Sequence, residues 1–145
     1  MAFSRIALLF CLAGAAGASA QAVTLGELVD QGARKLTPAE ARSWAPLQVI
    51  RESADSDARM TLHADGTVTG TVANKQGHGS SEAAGAWTLD AAGRRCVDVD
   101  LPAFRMQWRE CGYAWRLGNQ LYHVASDTDR SAPATPYVQT ATLRP

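Results

Sequence analysis

The chain has 145 residues, with 14 Lys plus Arg balanced by 14 Asp plus Glu and a hydrophobic fraction of 46%. That length fits one domain, and the even charge excludes the basic excess of a nucleic-acid-binding surface. No Cys-x-x-Cys spacing exists and no His lies near Cys96 or Cys111 in sequence, which argues against a two-thiolate metal or redox site.

The N-terminus sets the compartment. Met1 to Arg5 is a short basic leader, Ile6 to Gly17 is an apolar, small-residue run, and Ala18-Ser19-Ala20 is a small-x-small cleavage signature. Residues 1–20 are therefore expected to be a signal peptide cut after Ala20, placing a single globular domain, residues 21–145, in the periplasm or outside the cell. The apolar run is too short and too glycine-rich to span a membrane, so no span is expected once the leader is removed. The expected mature chain loses Arg5 and Cys11, leaving 13 basic against 14 acidic residues, a net charge of −1. Cys96 and Cys111, the remaining pair in an oxidising compartment, are expected to form a disulfide. Closing that loop contributes about 3 kcal/mol in the chain-entropy picture.

Two capping boxes open the mature chain. Thr24-Leu25-Gly26-Glu27 starts a short helix with a stripe of Leu25, Leu28 and Val29 and a stop at Gly32; Thr37-Pro38-Ala39-Glu40 starts a second, ended by Pro46. Helices this short do not persist alone, so the segment 21–46 is expected to pack on the β-meander of residues 47–145. In that meander, Leu47 to Arg51 reads as a strand. Ala64-Asp65-Gly66 reads as a three-residue hairpin loop that sets Leu62 opposite Val68 and Thr61 opposite Thr69, keeping Met60, Leu62, Val68 and Val72 on one face.

Asn74 to Gly85 is a polar, glycine-rich stretch expected to be a loop, and Gln76, His78, Ser80 and Glu82 in it are candidate partner contacts. Trp87 to Leu89 and Arg95 to Leu101 read as paired strands, followed by a turn near Pro102 to Arg105 and a strand through Met106 and Trp108. That register places Cys96 opposite Cys111 and Asp98 opposite Arg109. Past Cys111 the apolar parity flips from even (Met106, Trp108) to odd (Tyr113, Trp115, Leu117), and a β-bulge at Gly112 is expected to absorb the extra residue. Gly118-Asn119 turns the chain into Gln120 to Ser126. A proline-bearing loop, Asp127 to Pro136, leads into an expected last strand, Tyr137 to Leu143.

The fold class that follows is mainly β with N-terminal helices (α+β): an antiparallel up-and-down meander forming a small barrel or strongly curved sheet with one disulfide. Trp87, Trp108, Tyr113, Trp115 and Tyr122 are expected to fill its core or to line a ligand cavity.

The order Leu36-Thr37-Pro38-Ala39-Glu40, Asp65-Gly66-Thr67, Gly85-Ala86-Trp87, Gly93-Arg94-Arg95-Cys96, Trp108-x-x-Cys111 and Gly118-Asn119-Gln120-Leu121-Tyr122 resembles a family of small secreted proteobacterial proteins of unknown function. The resemblance spans most of the mature chain and implies a secreted domain, with no activity attached. A looser likeness is to calycin-type small barrels, in which Gly-x-Trp stands at the first strand rather than mid-domain as Trp87 does.

His63, His78 and His123 fall on separate segments, and Asp55-x-Asp57, Asp98-x-Asp100 and Asp127-x-Asp129 lack the glycine and distal Glu of a calcium loop. No catalytic residue, metal or cofactor is therefore expected. The leading functional expectation is a non-catalytic secreted or periplasmic binding protein, such as an inhibitor or immunity-type protein for an envelope enzyme. A carrier of a small apolar ligand is the alternative, and an uncharacterised enzyme the minor one.

Overall fold

The computed structural model describes residues 23–77 and 79–137. The expected signal peptide with its cleavage site, His78, and residues 138–143 of the expected last strand lie outside these. The fold is mainly β, a curled antiparallel half-barrel with 55% of residues in strands. The two helices are only six residues each, α1 Leu25–Asp30 and α2 Pro38–Ser43. Among the described residues no helix is long and apolar enough to cross a membrane.

The strands are β1 Arg34–Lys35, β2 Leu47–Glu52, β3 Ser56–Leu62, β4 Thr67–Asn74, β5 Ser80–Leu89, β6 Arg94–Leu101, β7 Met106–Leu117, β8 Gln120–Val124 and β9 Ala134–Pro136. From β2 to β9 each pairs antiparallel with the next in sequence. Local turns therefore fix the register from β2 to β8. Gly66 adopts the left-handed conformation (φ 89°) that the three-residue loop needs, and Leu62 indeed faces Val68 with Thr61 facing Thr69.

The strand β5 begins earlier than the polar composition of residues 74–85 suggests. Only residues 75–79 form the connection, and Ser80 to Gly85 pair with β4. Small side chains there answer a packing need rather than a loop. A Cβ on Gly85 would come within 2.0 Å of the Asp98 carbonyl oxygen, and one on Gly70 within 2.1 Å of the Arg59 carbonyl oxygen, so the neighbouring backbone approaches too closely for a side chain at either position. Likewise part of the 127–136 loop is strand: Ala134–Pro136 pairs with β8.

Cys96 faces Cys111 and the two are disulfide-bonded, with Asp98 facing Arg109 two residues on. Among the described residues no ion pair closes between Asp98 and Arg109.

The bulge expected at Gly112 is not formed. The β6–β7 register runs unbroken from Leu101↔Met106 to Arg94↔Tyr113, and the β7–β8 register continues it from Tyr113↔Val124 to Leu117↔Gln120. The parity flip is real, but two cores take it up. On the concave face, Leu47, Val49, Met60, Leu62, Val68, Ala83, Trp87, Val97, Val99, Leu101, Ala114 and Leu121 form the main core with Leu36 and Tyr137. On the opposite face of β7–β9, Leu25, Leu28, Ala33, Val124, Ala132 and Ala134 form a second core against which Trp115, Leu117 and Tyr122 pack. A long strand with apolar residues first on one face and then on the other serves both cores without any insertion.

The N-terminal segment makes this possible. Both capping boxes form, Thr24 with Glu27 and Thr37 with Glu40, and α1 lays Leu25 and Leu28 on the second core while Val29 stays exposed. β1 then pairs with β7 at Trp115 and Arg116, just past the end of the β6 pairing. Leu36 follows into the main core, where Ala41 and Trp44 of the α2 region also pack.

Candidate functional site

The concave face is largely apolar, and a line of polar side chains crosses it. Strand alternation carries Arg51, Arg95, Glu110 and His123 to the same side as Val49, Val97, Trp108 and Leu121, and Tyr137 joins them from the end of β9. These groups form a connected chain. Arg51 donates to Glu110 Oε2 at 2.9 Å, the other Glu110 oxygen lies 3.4 Å from His123 Nε2, His123 Nδ1 is 3.2 Å from the Tyr137 hydroxyl, and the Arg95 guanidinium donates to that same hydroxyl. Arg95 also lies 5.0 Å from the Tyr137 ring centroid.

Exposure is greatest at the Arg51–Glu110 end. The side chains of Arg51 and Glu110 are 24% and 31% exposed, His123 is 10% exposed, and Arg95 and Tyr137 are buried. Arg51 and Glu110 therefore stand at a mouth and Arg95 at the inner end. Burial, then the Arg51 and Arg95 cations, push the His123 imidazole down to about 3. Burial, then Arg51, pull the Arg95 guanidinium down to about 10 against the opposing pull of Glu110. His123 is thus neutral, Arg95 remains charged, and the cluster carries two arginine charges against one carboxylate.

Little space remains inside. The cavity bounded by Val49, Arg51, Met60, Leu62, Arg95, Val97, Trp108, Glu110, His123 and Tyr137 is about 10 Å³, room for about one water molecule. The five aromatics named from the sequence do not line it together. Trp87 is in the main core and Trp108 packs against it, whereas Tyr113, Trp115 and Tyr122 lie on the other face of the sheet. Lys35 sits 4.9 Å above the Tyr113 ring.

A second set of groups is gathered at one end of the meander. Alternate connections of an up-and-down sheet lie at the same end, and here the β2–β3 and β4–β5 connections are tied to one another. Lys75 donates through its backbone N–H to the Asp55 carbonyl at 2.9 Å and through Nζ to the Ser53 carbonyl at 2.8 Å, and it pairs with Asp57 at 2.8 Å. Gln76 Nε2 donates to Asp55 Oδ1 at 2.6 Å. At the same end the 3₁₀ turn Pro102–Phe104 is held by the Ala103 N–H donating to Ser81 Oγ at 3.2 Å, and Met106 beyond it is 49% exposed. Of the candidate contacts from the sequence, Gln76 lies in this rim, and Ser80 and Glu82 are exposed at the adjoining start of β5.

Among the described residues no group of three or more His, Cys, Asp or Glu side chains is arranged to hold a metal ion. His63 is engaged with Thr69 Oγ1 at 2.7 Å, far in the register from His123. The buried polar line escaped the sequence reading, although its signal was present. Arg95, Glu110 and His123 each stand in the apolar phase of a strand, as in Arg95-x-Val97-x-Val99 and Leu121-x-His123. Comparison with known proteins finds no family model that matches the chain, no similar curated protein and no similar solved structure.

Proposed function

We propose that the protein is a non-catalytic binding protein of the periplasm or cell exterior, of the inhibitor or immunity type, that meets an envelope protein through the rim built by residues 53–57, 75–77 and 102–106. The observation that carries this reading is the cross-tying of the rim. Its loops are fastened by Lys75 and Gln76 to Ser53, Asp55 and Asp57, so little conformational entropy is lost when a partner docks. The space enclosed beside the polar line is about 10 Å³ and the hollow of about 370 Å³ beside Trp87 is open to the surface, so a carrier role for an apolar ligand draws no support from an enclosed cavity. Secretion after cleavage at Ala20, and membership of the family of small secreted proteobacterial proteins, belong to the same reading.

The test is capture from periplasmic extract with the tagged mature chain. A stoichiometric partner should be retained by the wild type, lost on combining Gln76→Arg with Met106→Asp, and retained by Ala84→Lys on the convex face. Absence of any stoichiometric partner, or equal loss in the Ala84→Lys control, contradicts the proposal.

A further inference from the structure

Arg95 is 9% exposed and faces the interior from the middle of the sheet. Among the described residues its guanidinium has one hydrogen-bonding side chain, the Tyr137 hydroxyl, although a guanidinium offers five N–H donors. Arg51 lines the same cavity and pairs with Glu110, whose second oxygen is turned to His123. The carboxylate is thus paired with Arg51 and turned to a neutral imidazole, and although it also acts on Arg95, one negative charge stands against two guanidinium groups. A buried cation is costly unless something negative stands beside it.

The occupant that would balance it must be small. The free space of about 10 Å³ takes one small body, too little for sulfate, phosphate or carboxylates. We propose that the interior of the sheet holds one monatomic anion of the halide class, chloride under ordinary conditions, between the guanidinium groups of Arg51 and Arg95 beside His123. The anion enters past the partly exposed Arg51 and Glu110 and is held by Arg95 at the inner end. Glu110 competes with it for Arg51. The anion site does not rest on the proposed partner contact, and the two are read by different measurements.

Thermal unfolding of the full mature chain at constant ionic strength tests the site, with sodium chloride or bromide exchanged stepwise for sodium gluconate. A ligand that binds only the folded state raises stability as its concentration exceeds Kd. The wild type should show a saturable Tm rise of a few degrees with either halide. Arg95→Met should abolish the halide dependence, and Glu110→Gln, which removes the competing negative charge, should saturate at several-fold lower halide. The proposal is overturned if Tm is the same in chloride and gluconate, if the rise persists in Arg95→Met, or if Glu110→Gln weakens the halide response. Should Arg95→Met fail to fold, the wild-type and Glu110→Gln titrations decide the matter by themselves.

Discussion

Gly112 lies directly against the imidazole of His123, and a Cβ placed on it would come within 2.3 Å of His123 Cε1 and 2.7 Å of the Val124 carbonyl oxygen. The glycine is there to admit a buried histidine. Gly112→Ala must push His123 out of its contacts with Glu110 and Tyr137, which should cost about 1–3 kcal/mol, the range for overpacking a close-packed core. Urea denaturation of the variant measures it, and an unchanged midpoint would mean that His123 is not held where the structure places it.

The position of His123 also gives acid sensitivity a sign. An unfolded imidazole titrates near 6.5, whereas burial and the Arg51 and Arg95 cations hold the folded one at about 3. Between those values the unfolded chain binds the extra proton. The contribution is therefore fully present above pH 6.5 and is lost as the pH falls toward 3, by at most about 1.4 kcal/mol per pH unit. Denaturation midpoints at pH 7, 5 and 4 should fall more steeply for the wild type than for His123→Gln, and parallel slopes would count against a buried neutral imidazole.

The disulfide closes a loop with a sequence separation of 15 between Cys96 and Cys111. Reduction, or replacing both cysteines with alanine, should cost about 3 kcal/mol by releasing that constraint on the unfolded chain, read as a lower Tm with the β-rich circular dichroism retained at low temperature. A Tm unaffected by reduction would show that the staple adds nothing to the β6–β7 pairing.

The second core makes the N-terminal helix part of the fold's stability. Leu28 is 1% exposed, and Leu28→Ala should cost about 2–5 kcal/mol, the range for a buried leucine. Thr24→Ala should cost about 1 kcal/mol through the lost cap. If α1 were a dispensable appendage, Leu28→Ala would leave global stability unchanged, and hydrogen exchange would show protection lost in residues 25–30 alone.

Much of the meander was legible because short turns carry register. Asp65-Gly66 fixed the β3–β4 pairing, and the turn around residues 102–105 put Cys96 against Cys111. The second core was not legible. The odd-parity run Tyr113, Trp115, Leu117 suggests a bulge only if the sheet has one apolar face, and nothing local in the strand says that Leu25 and Leu28, about ninety residues upstream, cover the other. The buried polar line was missed for the same reason. A charged residue in an apolar phase declares itself only when its partners, on strands as distant as β2 and β7, are brought together by the curl of the sheet.

The central claim is that the concave interior has no room for an apolar guest and that a protein partner is met at the rim. It is tested most directly by tryptophan fluorescence in a Trp44→Phe/Trp115→Phe background, which leaves Trp87 and Trp108 of the concave face as reporters. Trp115 Nε1 has no hydrogen-bond partner among the described residues, so its replacement leaves no acceptor unpaired. Titration with a long-chain fatty acid should give no saturable change; a saturable change at micromolar ligand would mean that the interior opens to an apolar guest, contrary to the claim.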